Sequence, residues 1–153
     1  MKARCMKKKS KDVYQVNSDD KEMRIAMQKA RESFEDFKSE VLQDYSRIIP
    51  VLDVILIKAY FYDDNSKSNG EHLWLRNITF EGELITGEIA SSPDHIKSVK
   101  NGERVSISLE QLSDWLYVYG GKAYGAFTVR LLRKRMTTQE RCEHDKGYPY
   151  SFD

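Results

Sequence analysis

Residues 51–62 read Val-Leu-Asp-Val-Ile-Leu-Ile-Lys-Ala-Tyr-Phe-Tyr. β-branched and aromatic side chains dominate, and alternation sets Leu52, Val54, Leu56, Lys58 and Tyr60 on one face against Asp53, Ile55, Ile57, Ala59 and Phe61 on the other. Both faces are largely apolar, so this reads as a central strand with material packed on each side. The run is interrupted by Asp53 and Lys58 and is far shorter than the ~20 apolar residues of a membrane-spanning helix.

Upstream, the apolar residues between Asp19 and Tyr45 fall at Met23, Ala26, Met27, Ala30, Phe34, Phe37 and Val41, the three-and-four spacing of one helical face. Ser18, Asp19 and Asp20 supply a capping side chain and negative charge at its start, and Glu22 follows Asp19 by three. Pro50 stops any continuation beyond Ile49. The spacing predicts one long amphipathic helix.

Downstream, Asp63 to Gly70 is a polar connection, and strands are expected at Glu71 to Phe80 and Leu84 to Ala90, turning at Gly82. Pro93 opens a short helix near 93–100, and a strand from Arg104 to Leu109 follows Asn101-Gly102. Trp115 to Tyr119 and Ala123 to Leu132 read as strands around Gly120-Gly121, a hairpin signal whose register sets Tyr117 opposite Tyr124. The expected fold is α+β, with one long helix packed on an antiparallel sheet of about five to six strands. A chain of 153 residues forms one domain. Residues 1–11 form a basic leader, 12–133 the domain, and 134–153 a polar tail or short helix.

The formal net charge is +1, but Lys2, Arg4, Lys7, Lys8, Lys9 and Lys11 lie in the leader, so the body is mildly acidic. That balance argues against nucleic acid as a partner, since duplex binding needs a basic footprint on the folded part. The leader is followed by no apolar stretch of the kind a secretory signal carries, and Met6 offers an alternative start to Met1. Cys5 and Cys142 lie in the two tails and form no disulfide framework of the secreted kind, which points to the cytoplasm. Cys142-Glu143-His144-Asp145 has too few converging ligands for a metal site, and no cofactor motif is present.

Several segments in order carry a resemblance: Val13-Tyr14, Met23 with Ala26 to Arg31, Glu71-His72-Leu73-Trp74-Leu75, Ser113-Asp114-Trp115, and Gly125 with Thr128 to Leu131. The chain resembles the YegJ-like family of bacterial proteins, the domain of unknown function 2314, from about Val13 to Leu132. The lysine-rich start and the tail after Arg133 depart from the family pattern. The resemblance implies a bacterial lineage and no particular reaction.

Three residues could carry chemistry. His72, which shares a strand face with Trp74, is a candidate general base; Asp114 could assist it, and Arg130 could clamp an anionic substrate. The competing reading makes His72 a hydrogen-bonded sheet residue, Trp74 core packing and Asp114 the cap of a turn. No nucleophile is placed by any signature, so the favoured reading is a non-enzymatic binding or protein-interaction module, with an immunity-type protein as one form. Trp74, Tyr117, Tyr119 and Arg130 are its expected contact residues, with Tyr60 and Tyr62 as further aromatic anchors. The partner is expected to be another protein or a small ligand. A small hydrolase or transferase using His72, Asp114 and Arg130 is the alternative, followed by a nucleic-acid-associated protein using the leader and Arg130 to Arg135.

Overall fold

The computed structural model describes residues 20–64 and 67–153. The basic leader, Cys5, Val13-Tyr14, Ser18 and Asp19 lie outside the described residues. In chain order the elements are α1 (Lys21–Glu32), α2 (Phe34–Ser46), β1 (Leu52–Phe61), β2 (Glu71–Glu81), β3 (Leu84–Ile89), β4 (Arg104–Ile107), β5 (Leu112–Tyr119), β6 (Lys122–Gly125), α3 (Phe127–Arg135) and α4 (Thr138–Asp145). The fold is α+β. Among the described residues, six strands form one antiparallel sheet in the order β4-β3-β2-β1-β5-β6.

β1 lies inside the sheet, between β2 and β5, as its two apolar faces require. Ile57, Ala59 and Phe61 enter the main core with Leu75, Ile89, Leu112 and Trp115. Leu56 and Val54 face a second cluster around Leu116, Val118 and Phe152.

The expected long helix is two. α1 ends at Glu32 and α2 starts at Phe34, separated by Ser33 at φ −95° and ψ 3°. The Ser33 hydroxyl donates back to the Lys29 carbonyl at 2.7 Å, while the Trp115 indole donates to the Ala30 carbonyl and Ser33 Oγ, each at 3.1 Å. Carbonyls of the last turn of α1 are thus drawn toward the serine and the sheet, which breaks the helical ladder. The apolar stripe survives the break, since Ala30, Phe34, Phe37 and Val41 all enter the main core.

Two further expectations are corrected. Residues 93–100 form no helix. Their backbone N–H groups are taken instead by distant carboxylates: Glu71 accepts from Asp94, His95 and Ile96, and Asp63 from Lys97 and Ser98. The strand expected over Ala123 to Leu132 stops at Gly125, after which α3 begins. Gly125 at φ +76° and Ala126 at φ +54° turn the backbone out of the ladder.

After α4, which opens on a capping box between Thr137 and Glu140, the chain returns to the sheet. Ser151 bridges Lys122 beside β6, accepting from the Ala123 N–H at 2.8 Å and donating to the Gly121 carbonyl at 2.9 Å, and Phe152 is buried. At the other margin, β4 is four residues long.

Candidate functional site

The register of the central strands sets polar groups from three strands on one face. Tyr60 lies opposite His72, Lys58 opposite Trp74, and Lys58 also opposite Asp114. The pairing then slips, with Ala59 facing Leu112, and Ser113 falls in the irregularity. From there Ser113 Oγ reaches Nδ1 of His72 at 2.8 Å, and the His72 ring packs on Tyr60 with centroids 4.9 Å apart. Lys58 donates to Thr128 Oγ1 at 2.5 Å and lies 5.0 Å from the centre of the Trp74 ring.

Burial pushes His72 down to about 4, with the Lys58 ammonium as a second cause. The imidazole is therefore neutral near pH 7. Burial also lowers Lys58, opposed by the nearby Asp114 carboxylate. Ser113, hydrogen-bonded to the imidazole, is buried, and it contributes to the lining of the cleft beside α1.

Asp114 spends its carboxylate on the chain. Oδ1 accepts from the N–H groups of Trp115 and Phe127 at 2.9 and 3.0 Å, and Oδ2 accepts from the Thr128 N–H at 2.9 Å and its hydroxyl at 2.5 Å. It caps α3 rather than the turn expected to start the hairpin. Arg130 donates to the carbonyls of Gly125 at 2.8 Å, Ala123 at 2.7 Å, and Phe152. His72, Asp114 and Arg130 are thus engaged with three different sets of partners.

Two concavities adjoin this framework. One, of about 640 Å³, lies between α1, which contributes Met23, Arg24, Met27 and Arg31, and the strand residues Tyr60 and His72. The other, about 420 Å³, is lined by Tyr117, Tyr119, Tyr124, Glu40, Arg47 and Leu52. Tyr117 stacks on Trp115 at 5.8 Å and on Tyr124 at 5.1 Å, which fixes the wall of this groove.

Beside it, the buried Asp44 carboxylate accepts from Arg47 and the Val51 N–H, both at 2.8 Å, pinning the ends of the connection after α2. Burial alone would raise Asp44, but these donors hold it below its ordinary value. Between the pinned ends, Ile48 is 99% exposed and Ile49 77% exposed. Of the expected contact residues, Tyr117 and Tyr119 come together here. Trp74 sits on the opposite face of the sheet under Lys58, and Arg130 holds the C-terminal segment.

The family described as "Uncharacterized protein conserved in bacteria", the domain of unknown function 2314, matches residues 20–152. The chain belongs to this family. The match runs through α3, α4 and the returning segment, so the residues after Arg133, which the initial resemblance excluded, fall within the family region. A Neisseria meningitidis serogroup B protein that carries an ankyrin repeat name is 34% identical over 141 residues, covering 92% of this chain and 56% of that protein. Uncharacterized protein YegJ of Escherichia coli K12 is 32% identical over 77 residues, covering 50% of this chain and 48% of that protein. The chain thus spans about half the length of these curated relatives. No solved structure matches it.

In this member of the 2314 family, the basic cluster after α3 begins is largely committed internally. Arg133 pairs with Asp145, and Arg135 pairs with Asp20 at 2.5 Å. Among the described residues, no group of three or more His, Cys, Asp or Glu side chains could hold a metal ion, and no helix is long and apolar enough to cross a membrane. Arg24, Arg31 and the Ile48-Ile49 pair had no sequence signal as site residues. Charged positions on an amphipathic helix look alike whether they face solvent or a cleft, and the isoleucines read as the helix end.

Proposed function

We propose that this chain is a non-enzymatic protein-interaction module whose contact surface is the tyrosine groove with the adjoining Ile48-Ile49 turn. The observation that carries the reading is the exposure of two adjacent isoleucines, held outward by the Asp44 cap, beside Tyr119, itself 53% exposed. Large apolar side chains grouped at the surface cost solubility and mark contact sites, and tyrosine is a residue type enriched at interface hot spots. Glu40 and Arg47 at the rim offer both signs of charge for orienting a protein partner. The ankyrin repeat name of the Neisseria relative describes that protein and lends this reading weak support through shared family membership.

An immunity-type protein is one concrete form, in which the mildly acidic body approaches a basic partner. The hydrolase or transferase reading is not favoured, because His72, Asp114 and Arg130 each hydrogen-bond to a different set of partners. A cytoplasmic setting is part of the proposal, but Cys142 is not a free thiol and does not support it.

The test is site-directed photocrosslinking in bacterial cells. A photoreactive side chain at Tyr119 should give a discrete adduct with a second protein that disappears with Ile48→Asp, while one at Lys97 should not. An absent adduct, or one insensitive to Ile48→Asp, defeats the proposal.

A further inference from the structure

The cleft beside α1 is a separate concavity whose groups specify a ligand chemistry. Its volume, about 640 Å³, is that of a small-molecule site. Met23, Arg24, Met27 and Arg31 lie at helical spacing, so one stripe of α1 forms a wall carrying both apolar and cationic groups.

The charges at this wall do not cancel. The Arg24 guanidinium has no hydrogen-bond or ion-pair partner among the described residues. Arg31 donates to the Leu112 carbonyl at 2.9 Å, which fixes its position, and no acid among the described residues pairs with it. Of the two carboxylates that line the cleft among the described residues, Asp20 is already paired with Arg135 and accepts from the Met23 N–H. Glu110 is the remaining one. Two guanidinium groups therefore stand against one uncommitted acid, a surplus of one positive charge.

His72 contributes no charge, and its Nδ1 is engaged by Ser113, so Nε2 is the ring atom left for a ligand. Met23 and Met27 supply flexible apolar surface that adapts to shape. Tyr60 adds an aromatic face whose hydroxyl is already used, donating to the Lys67 carbonyl and accepting from the Gly70 N–H.

We infer that this cleft binds a small carboxylate with an apolar body, its head paired with Arg24 and Arg31 and its body lying along Met23, Met27 and Tyr60. A carboxylate matches the surplus of one charge and the flat guanidinium geometry. Glu110 disfavours a dianion, and a cation would face the same two arginines.

The test is an NMR titration of the full 153-residue chain, so that residues 1–19, which lead into Asp20, are present. The probes are phenylacetate, its neutral isostere phenylacetamide, and phenethylamine, read at the Met23 and Met27 methyl groups and the His72 ring. Phenylacetate should shift these signals saturably, the amide should bind more weakly, and the amine should not bind. Arg24 is exposed, so Arg24→Gln should leave the fold intact and weaken phenylacetate about tenfold, the loss of one charge-assisted contact.

Glu110→Gln, also at an exposed position, should tighten it. Ile48→Asp should change nothing, which separates this site from the tyrosine groove. No saturable shift with phenylacetate, equal binding of the three probes, or unchanged affinity in both Arg24→Gln and Glu110→Gln overturns the inference.

Discussion

One carboxylate oxygen of Asp114 lies 2.9 Å from the backbone nitrogen and 2.5 Å from the hydroxyl of Thr128, so a strand residue caps a helix that starts after the following hairpin. The helix has no cap of its own, because Ala126 occupies that position. The same carboxylate is the acid facing the buried Lys58. Replacing Asp114 by Ala removes the acceptor of three N–H groups, those of Trp115, Phe127 and Thr128, and strands the lysine, an expected loss of about 3–5 kcal/mol. Urea unfolding should show Asp114→Asn losing less, and the double variant with Lys58→Met recovering part of the difference. Equal losses in all three would remove the coupling.

The His72 imidazole gives stability a pH dependence. Its value is about 4 in the fold against 6.5 ordinarily, so between those limits the unfolded chain takes up a proton that the folded chain refuses. Stability from this group is complete above about 6.5 and falls as the pH drops toward 4, then levels off. Urea midpoints measured across this range should slope for the parent chain and flatten for His72→Gln. Parallel curves would rule out His72 as the source.

Glu71 holds the segment after Pro93 by accepting from the N–H groups of Asp94, His95 and Ile96 at 2.8, 2.5 and 3.0 Å. Burial pulls its carboxyl upward, yet these three donors keep it below the ordinary carboxylate value. Glu71→Ala should cost about 1.5–3 kcal/mol. Hydrogen exchange should accelerate at residues 94–96 more than at Leu75 or Ile57; a uniform increase would mean that the carboxylate supports the whole fold instead.

Two glycines at positive φ should respond differently to alanine. At Gly125 an added Cβ would fall 2.3 Å from the Trp115 ring and 2.5 Å from its carbonyl oxygen, whereas at Gly120 it meets open space. Gly125→Ala combines backbone strain with overpacking and should cost about 3 kcal/mol or more. Gly120→Ala carries the backbone penalty alone, about 1–2 kcal/mol. Thermal or urea unfolding of the pair measures the contrast.

The sheet was legible in the sequence because strand alternation and glycine turns are local signals. Tyr117 opposite Tyr124 follows from the two-residue turn at Gly120-Gly121 and is observed. The features misread were governed by partners far along the chain. Phe127 to Leu132 alternates like a strand, but Asp114 supplies the N-terminal cap of a helix there. Ser33 interrupts the helix under a continuous apolar stripe because Trp115, some eighty residues later, claims its hydroxyl and the Ala30 carbonyl. The pairing of His72 with Ser113 was hidden for the same reason, since it depends on an irregularity in strand register.

Both margins of the sheet are short, and at one of them Ser151 already pairs beside Lys122. Neither presents a long ladder on which a second copy could template fibre growth. The exposed isoleucines project from a helix-to-strand turn instead, so apolar exposure is uncoupled from strand stacking. Apolar surface is thereby exposed away from the route by which sheets aggregate.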